Sequence, residues 1–455
     1  LCEVAASRTA GCGTACPVVW EDGSRKAPSY PIGRKDFVQL NSTDNLLLSC
    51  LLPVEASVAR LRQLLGALPN RIDWAAAVHR ADAHHIASLL RFSLARAGAI
   101  NSLPQETQDQ LRNISQTWAA RHLAYVSEAT RLVAALAGEG IEAIPLKGAA
   151  LMLGGYYPQA GLRAATDIDL LVDPARIEDA DRIVEADGYV HLPGKRSARP
   201  RQRLANEVNH LWPRRGPGGI ILELHHRAFQ FARRERDFSF AEVRSRATFQ
   251  STAAGQTTAS GFPLLLPSPT DLAFHLVHHT LVDLQTTRAI LRTVADLHFI
   301  FARHPEACEG MQRLADEFGF GGAARLASDL ERLLANSTLA GLDEAMTDER
   351  IALWIETALI EDALPLADAA RMFEYFDFAR HPVAKLGNLF SLLFTSREHL
   401  AQLYGHSKKG AEQGPAQGDI YWNYLRRPFD LVRKFNRAGL SPANLRRVWR
   451  LRRLR

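Results

Sequence analysis

The sequence predicts an α+β protein, with a small mixed sheet set between an N-terminal and a C-terminal helical region. Three observations predict it. Apolar residues recur with the helical period up to Gly138 and again after Pro263. Between these stretches, short apolar runs of strand length alternate with helical segments. The composition, 47% hydrophobic and 23% charged over 455 residues, is that of a globular chain long enough for two or three domains. This balance excludes collagen-like, mucin-like and wholly disordered chains. No stretch of 18 uncharged apolar residues exists, so no membrane-spanning helix is expected.

Residues 1–40 hold Gly, Pro, Ser and charges without periodicity and read as a flexible arm. The arm lacks the basic start and apolar run of a secretory signal, and Leu1 in place of Met reads as a fragment or a processed chain. Cys2, Cys12 and Cys16 cluster there, but the short ligand pairs and fourth ligand of a zinc site are missing. Triplets of the glycosylation type at Asn41, Asn113 and Asn336 are common by chance.

Residues 41–138 are expected to be helical. Leu46, Leu47, Leu51, Val58, Leu61 and Leu65 fit the 3.6-residue period, and residues 74–97 continue in that style. Leu123, Val126, Ala129, Val133 and Leu136 form a stripe that Gly138 ends as a C-cap. The mixed core is expected at 139–262. Strands are predicted at 141–146, 168–172, 189–192, 208–212 and 220–224, the last two joined by a turn at 215–219. Asp173 and Pro174 open a helix as N-cap and first helical residue, with Gly188 as its stop. Residues 263–404 return to helix. Ser268, Pro269 and Asp271 supply an N-cap, a first-turn proline and a first-turn acid, and apolar helices follow at 273–284 and 290–302.

Residues 405–455 are a polar loop and a basic tail. Between 425 and 455 stand eleven Arg and Lys and one acid, Asp430, so the tail carries +10 where the whole chain carries +6. Such a tail suits an anionic membrane surface or nucleic acid, or docks as a solvated helix on the mildly acidic body.

The chemistry concentrates in the core. Asp167 and Asp169 are two apart on a predicted strand, so both point to one face while Ile168 points to the other. Adjacent carboxylates repel and destabilise the fold unless a cation neutralises them, and Mg²⁺ favours oxygen ligands of this kind. Glu223 lies between Leu222 and Leu224 on a later apolar strand. If the strands are neighbours, three acids converge as two-metal phosphoryl transfer requires. Lys147 and Gly148 stand where a strand turns into a helix, which lets backbone N–H groups approach phosphate oxygens. Lys147 and Arg163 add positive charge for a triphosphate.

This ordered set resembles the nucleotidyltransferase superfamily of DNA polymerase β, and within it the uncharacterised bacterial nucleotidyltransferases. The resembling residues are Leu146-Lys147-Gly148, then Arg163, then the run from Asp167 through Val172, then Glu223-Leu224-His225. The helices on either side extend the resemblance to about residues 44–400. It implies that the core at 139–262 is a nucleotidyltransferase core. It further implies Asp167, Asp169 and Glu223 as metal ligands and catalytic acids, two Mg²⁺ ions with Mn²⁺ as a substitute, and Lys147, Gly148, Ala149 and Arg163 around the nucleotide. The reaction implied is transfer of a nucleoside monophosphate from an NTP to an acceptor hydroxyl, releasing pyrophosphate, in the cytoplasm or at the membrane periphery. One departure is Ala149, where the superfamily commonly has Ser or Gly after the phosphate-turn glycine, which removes a hydroxyl donor.

Two other readings compete. A degenerate transferase would hold a nucleotide or a partner without chemistry. A helical metal phosphohydrolase would use His275, His278, His279 and Asp283, which fall at spacings of three and four, although its His-Asp dipeptide is missing. His225 shares the Glu223 face by strict alternation, and His210 lies on the preceding strand; structural roles are favoured for both. Asp296 and His298 are expected to pair with a neighbouring helix.

Overall fold

Asn41 caps the first helix, α1 (Ser42–Cys50), by accepting from the Asp44 backbone while Asp44 reaches back to the Asn41 N–H. The computed structural model describes residues 40–67, 72–192, 209–229, 238–250, 264–282 and 290–359, with Arg426 and Arg450. The N-terminal arm with its three cysteines, Asp283, the helices expected beyond 359, the polar loop and nearly all of the basic tail lie outside the described residues. Arg450 donates to Glu349 at 2.9 Å.

Four more helices follow: α2 (Glu55–Ala67), α3 (Trp74–Ala83), α4 (Ala87–Arg96) and α5 (Gln105–Gly138). The helical patterning expected at 74–97 is divided between α3 and α4, and His85 takes a left-handed φ of 57° between them. Gly138 is the last residue of α5 rather than its cap, and the left-handed residue after it is Gly140, at φ 68°. Leu123 belongs to the predicted stripe yet is 64% exposed, since the face that α5 buries carries Tyr125, Ala129, Leu132, Val133 and Leu136.

Among the described residues five strands make one mixed sheet: β1 (Ala143–Pro145), β2 (Asp167–Val172), β3 (Val190–His191), β4 (Arg214–Arg215) and β5 (Ile221–His225). Their order is β1-β2-β5-β4-β3. The β2–β5 pair is parallel and the others are antiparallel. Two helices accompany the sheet, α6 (Lys147–Leu153) after β1 and α7 (Ile177–Ala186) after β2. α7 starts later than predicted. Asp173 closes a turn, with its side chain accepting from Ala175 N, and Arg176 is the residue before the helix. The strand expected at 208–212 reduces, among the described residues, to a bridge from His210 to His225, and β4 lies at the start of the predicted turn, which it shares at Arg215.

A short ladder of β6 (Thr248–Gln250) and β7 (Leu264–Leu266) lies beyond α8 (Phe240–Arg246). Ser268 caps α9 (Pro269–Val277) as expected, by accepting from Asp271 N, and a π-helical turn, His278–Val282, follows. The remaining described helices are α10 (Ile290–Arg303), α11 (Glu306–Glu317), α12 (Gly321–Asn336), α13 (Leu339–Ala345) and α14 (Glu349–Ala358).

The sheet lies between two apolar cores. Ile168, Leu170 and Val172 join the C-terminal half of α5 and α7 on one face. All three are fully buried, which stabilises the strand by roughly 1.5–3 kcal/mol per side chain. Leu171, on the other face, joins a larger core that contains both the early helices and the late ones, Leu46 with Leu326 and Trp354. Helices from the two ends of the chain therefore share one interior. Arg60 of α2 donates to the Leu334 and Ser337 carbonyls at the C-terminus of α12.

Candidate active site

Strand alternation decides where the acids point. With Ile168, Leu170 and Val172 locked into one core, Asp167 and Asp169 must project from the opposite face of β2. β5 pairs with β2 in the register Asp169↔Glu223, so the Glu223 carboxylate stands beside that of Asp169 on the next strand. His225 follows on the same face of β5. The acids thus rest on paired strands rather than loops.

Lys147 reaches them from the turn after β1. The Leu146 N–H donates to the Asp169 carbonyl at 2.9 Å and ties this turn to β2. Lys147 begins α6 in a left-handed backbone, φ 46°, a strained state for a residue with a Cβ. Its Nζ donates to Asp169 Oδ1 at 2.8 Å. His225 Nε2 lies 2.8 Å from the same oxygen and 3.6 Å from Glu223 Oε2. The Asn209 amide nitrogen is 3.2 Å from His225 Nδ1. An amide nitrogen only donates, so Nδ1 accepts and Nε2 carries the hydrogen given to Asp169. His210 Nε2 is 3.9 Å from Glu223 Oε2.

The three acids sit in different fields. Burial opposes ionisation of Asp169, but the Lys147 ammonium and the His225 hydrogen bond outweigh it and hold the carboxyl well below its usual range. Burial opposes ionisation of Glu223 too, yet His210 and then the nearby His225 ring bring it to about 2. Asp167 is half-buried, and its carboxylate makes no hydrogen bond among the described residues. Burial, then the charges of Asp169 and Glu223, push it up to about 7. Burial alone would lower Lys147, but the acids around it raise it above the ordinary lysine value.

The other predicted site residues form the layer beneath. Arg163 is buried, and its Nε donates to Asp296 Oδ1 of α10 at 2.7 Å. The Tyr157 hydroxyl donates to the same oxygen at 2.6 Å, and Arg163 Nη1 donates to the Ala164 carbonyl. Gly148 lies over this pair. A Cβ there would come within 3.1 Å of Ala165 Cβ and 3.5 Å of Arg163 Nη1, so the missing side chain lets α6 settle on the segment leading into β2. Ala149 turns its methyl into the core shared with Ile168.

The phosphohydrolase cluster is arranged otherwise. His278 stacks on Phe229 at 3.8 Å, and the His275 and His279 rings are 6.3 Å apart. Among the described residues, the group whose donor atoms fall together, within 4.8 Å, is Asp169, Glu223 and His225. Asp296 pairs with Arg163 of a loop instead of with a helix, whereas His298 does meet the neighbouring α12, through Glu331 at 2.7 Å.

The sequence reading passed over Asn209 and Arg292. Arg292 rises from α10 near Asp167 and Arg163, and burial with the Arg163 charge lowers it to about 10. No local motif marks either residue; both enter through pairings across the chain.

A family model described as an uncharacterised nucleotidyltransferase matches residues 70–336, a span that contains every residue of this site. No curated protein and no solved structure matches the chain.

Proposed function

This chain belongs to the uncharacterised nucleotidyltransferase family, and we propose that it transfers a nucleoside monophosphate from an NTP to a hydroxyl of an acceptor, with a divalent cation, releasing pyrophosphate. The observation that carries the reading is the lateral Asp169–Glu223 pair, with Asp167 on the same face and Lys147 in contact.

Asp169 and Glu223 offer neighbouring carboxylate donors suited to a hard cation, while Asp167, on the same strand face, stands outside the group whose donor atoms fall within 4.8 Å. Asp167 has no hydrogen-bond partner among the described residues and is held up by burial and then by its neighbours' charge, the part that a cation would relieve. Asp167, Asp169 and Glu223 would hold Mg²⁺ or Mn²⁺, which when bound offsets phosphate charge and favours ionisation of the attacking hydroxyl. Glu223, ionised beside Asp169, would help to hold the cation against that hydroxyl. Lys147, Gly148 and Ala149 would flank the triphosphate, and Arg163 supports their turn through Asp296. The reaction is assigned to the cytoplasm, with the basic tail available to an anionic membrane surface or nucleic acid.

Replacing Asp169 by Asn removes both a ligand charge and the anchor of Lys147. We expect turnover to fall by several kcal/mol of barrier, roughly a hundredfold to a thousandfold. Pyrophosphate release measured across an acceptor panel reads this, and unchanged turnover would sink the assignment. One observation favours a binding module instead: Asp169 already has Lys147 and His225, so its ionised state needs no metal. Calorimetric titration of non-hydrolysable NTP analogues separates the readings. Binding that needs both Mg²⁺ and the Asp167/Asp169 pair supports the transferase, and metal-independent binding supports the module.

A further inference from the structure

The same face of the sheet says how many cations it takes. In a two-ion phosphoryl-transfer site the ions stand about 3.5–4 Å apart and are clamped from both sides. A carboxylate that joins two such ions offers one oxygen to each. Asp169 is the acid placed for that task, since it stands between Asp167 on its own strand and Glu223 on the next.

Its oxygens are not equivalent. Oδ1 accepts from Lys147 Nζ at 2.8 Å and from His225 Nε2 at 2.8 Å. A carboxylate oxygen has about two lone-pair sites, so both at Oδ1 are filled. Oδ2 accepts nothing among the described residues. Asp169 is 1% exposed, and rotation of its carboxyl would strip a buried ammonium of its contact. Lys147 is also held at its backbone, through the strained φ of 46° and the turn tied to β2.

Charge gives the same answer. With all three acids ionised, the state that a bound cation favours, three carboxylates against the Lys147 ammonium leave two negative charges, which one divalent ion balances. Arg292 adds positive field at Asp167. A second divalent ion would leave the protein's side of the site with a net positive charge.

We propose that this site binds a single divalent cation through Asp167, Asp169 Oδ2 and Glu223, and that the Lys147 ammonium, seated with His225 on Asp169 Oδ1, takes the place of a second ion. The proposal rests on the transferase reading for its purpose, though not for its count. Lys147 then supplies a fixed positive charge on the side of Asp169 where a second metal would stand. His225 is a positioning residue that keeps Oδ1 turned toward the lysine.

The test is Mn²⁺ binding to the full chain, followed by electron paramagnetic resonance, with and without a non-hydrolysable ATP analogue. The expected result is one Mn²⁺ per chain and no exchange-coupled Mn–Mn spectrum in either condition. Lys147→Met should admit a second ion and develop the coupled spectrum, while Lys147→Arg should keep the count at one. Circular dichroism checks that each variant folds, and the wild-type count decides the matter if Lys147→Met does not. Two ions in the wild type, or none, overturns the proposal, as does a folded Lys147→Met protein that still takes one. One Mn²⁺ without any effect of nucleotide leaves the single-ion site standing and overturns the transferase reading instead.

Discussion

Asp296 is fully buried and holds Arg163 and Tyr157 through one oxygen, while its other oxygen has no partner among the described residues. Removing one member of a buried ion pair leaves the other charge stranded, so Asp296→Ala should destabilise the fold by about 3–5 kcal/mol in urea denaturation. A loss under 1 kcal/mol would mean that the pair does not hold the site's floor. His275 is buried, and neither ring nitrogen has a partner among the described residues. Burial, then the charges of Lys147 and His225, depress it well below the ordinary histidine value. The folded chain therefore refuses a proton that the unfolded chain takes up below about pH 6.5. Stability is intact above that pH and falls beneath it by at most about 1.4 kcal/mol per pH unit for this group. Urea midpoints between pH 7.5 and 5 should show this slope, and His275→Leu should flatten it in part, since His279 is depressed in the same direction. Asp167, Asp169, Glu223 and Lys147 were legible in the chain because a two-residue period and a Lys-Gly turn are local signals. The Arg163–Asp296 pair was not, because the tertiary fold brings together residues that no local pattern links.

Elements were legible where they carry apolar periodicity. β2 and β5 keep apolar residues on every second position between their acids, and the Ser268-Pro269 start of α9 has its cap and its proline in adjacent positions. β4 escaped because it consists of Arg214 and Arg215, polar residues beside a glycine-rich turn. The α7 start was read early because Asp-Pro signals a turn as well as a cap. A close approach no pattern announced lies at Gly161, where the loop into β2 crosses α5. Its φ is 81°, and a Cβ would fall 2.4 Å from the Ala119 backbone nitrogen. Gly161→Ala should therefore cost about 2 kcal/mol or more, and should lower turnover by displacing the segment that delivers Asp167. Thermal unfolding beside nucleotide titration checks both; a variant with wild-type melting would show that α5 yields easily.

At the scale of the molecule, periodicity marked helices at both ends but not that they meet. Leu46 of α1 and Leu326 of α12 lie in one apolar core, which also receives Ile144, Leu146 and Leu171 from the sheet side. The site face of the sheet is thus roofed by helices from both ends of the chain. A fragment limited to residues 139–262 should fail to fold on its own, with broad amide proton resonances and no cooperative melt, whereas a sharp melt would show the sheet to be self-sufficient. Among the described residues the one parallel pairing in the sheet joins Asp167 to Ile221 across α7, β3 and β4. Such a contact must close a long loop before it gains any stabilisation, so it forms late and slowly. Glu223 and His225 reach Asp169 only through that closure. A newly made chain is therefore expected to pass through its early folding without an assembled charge cluster, which closes when β5 pairs with β2.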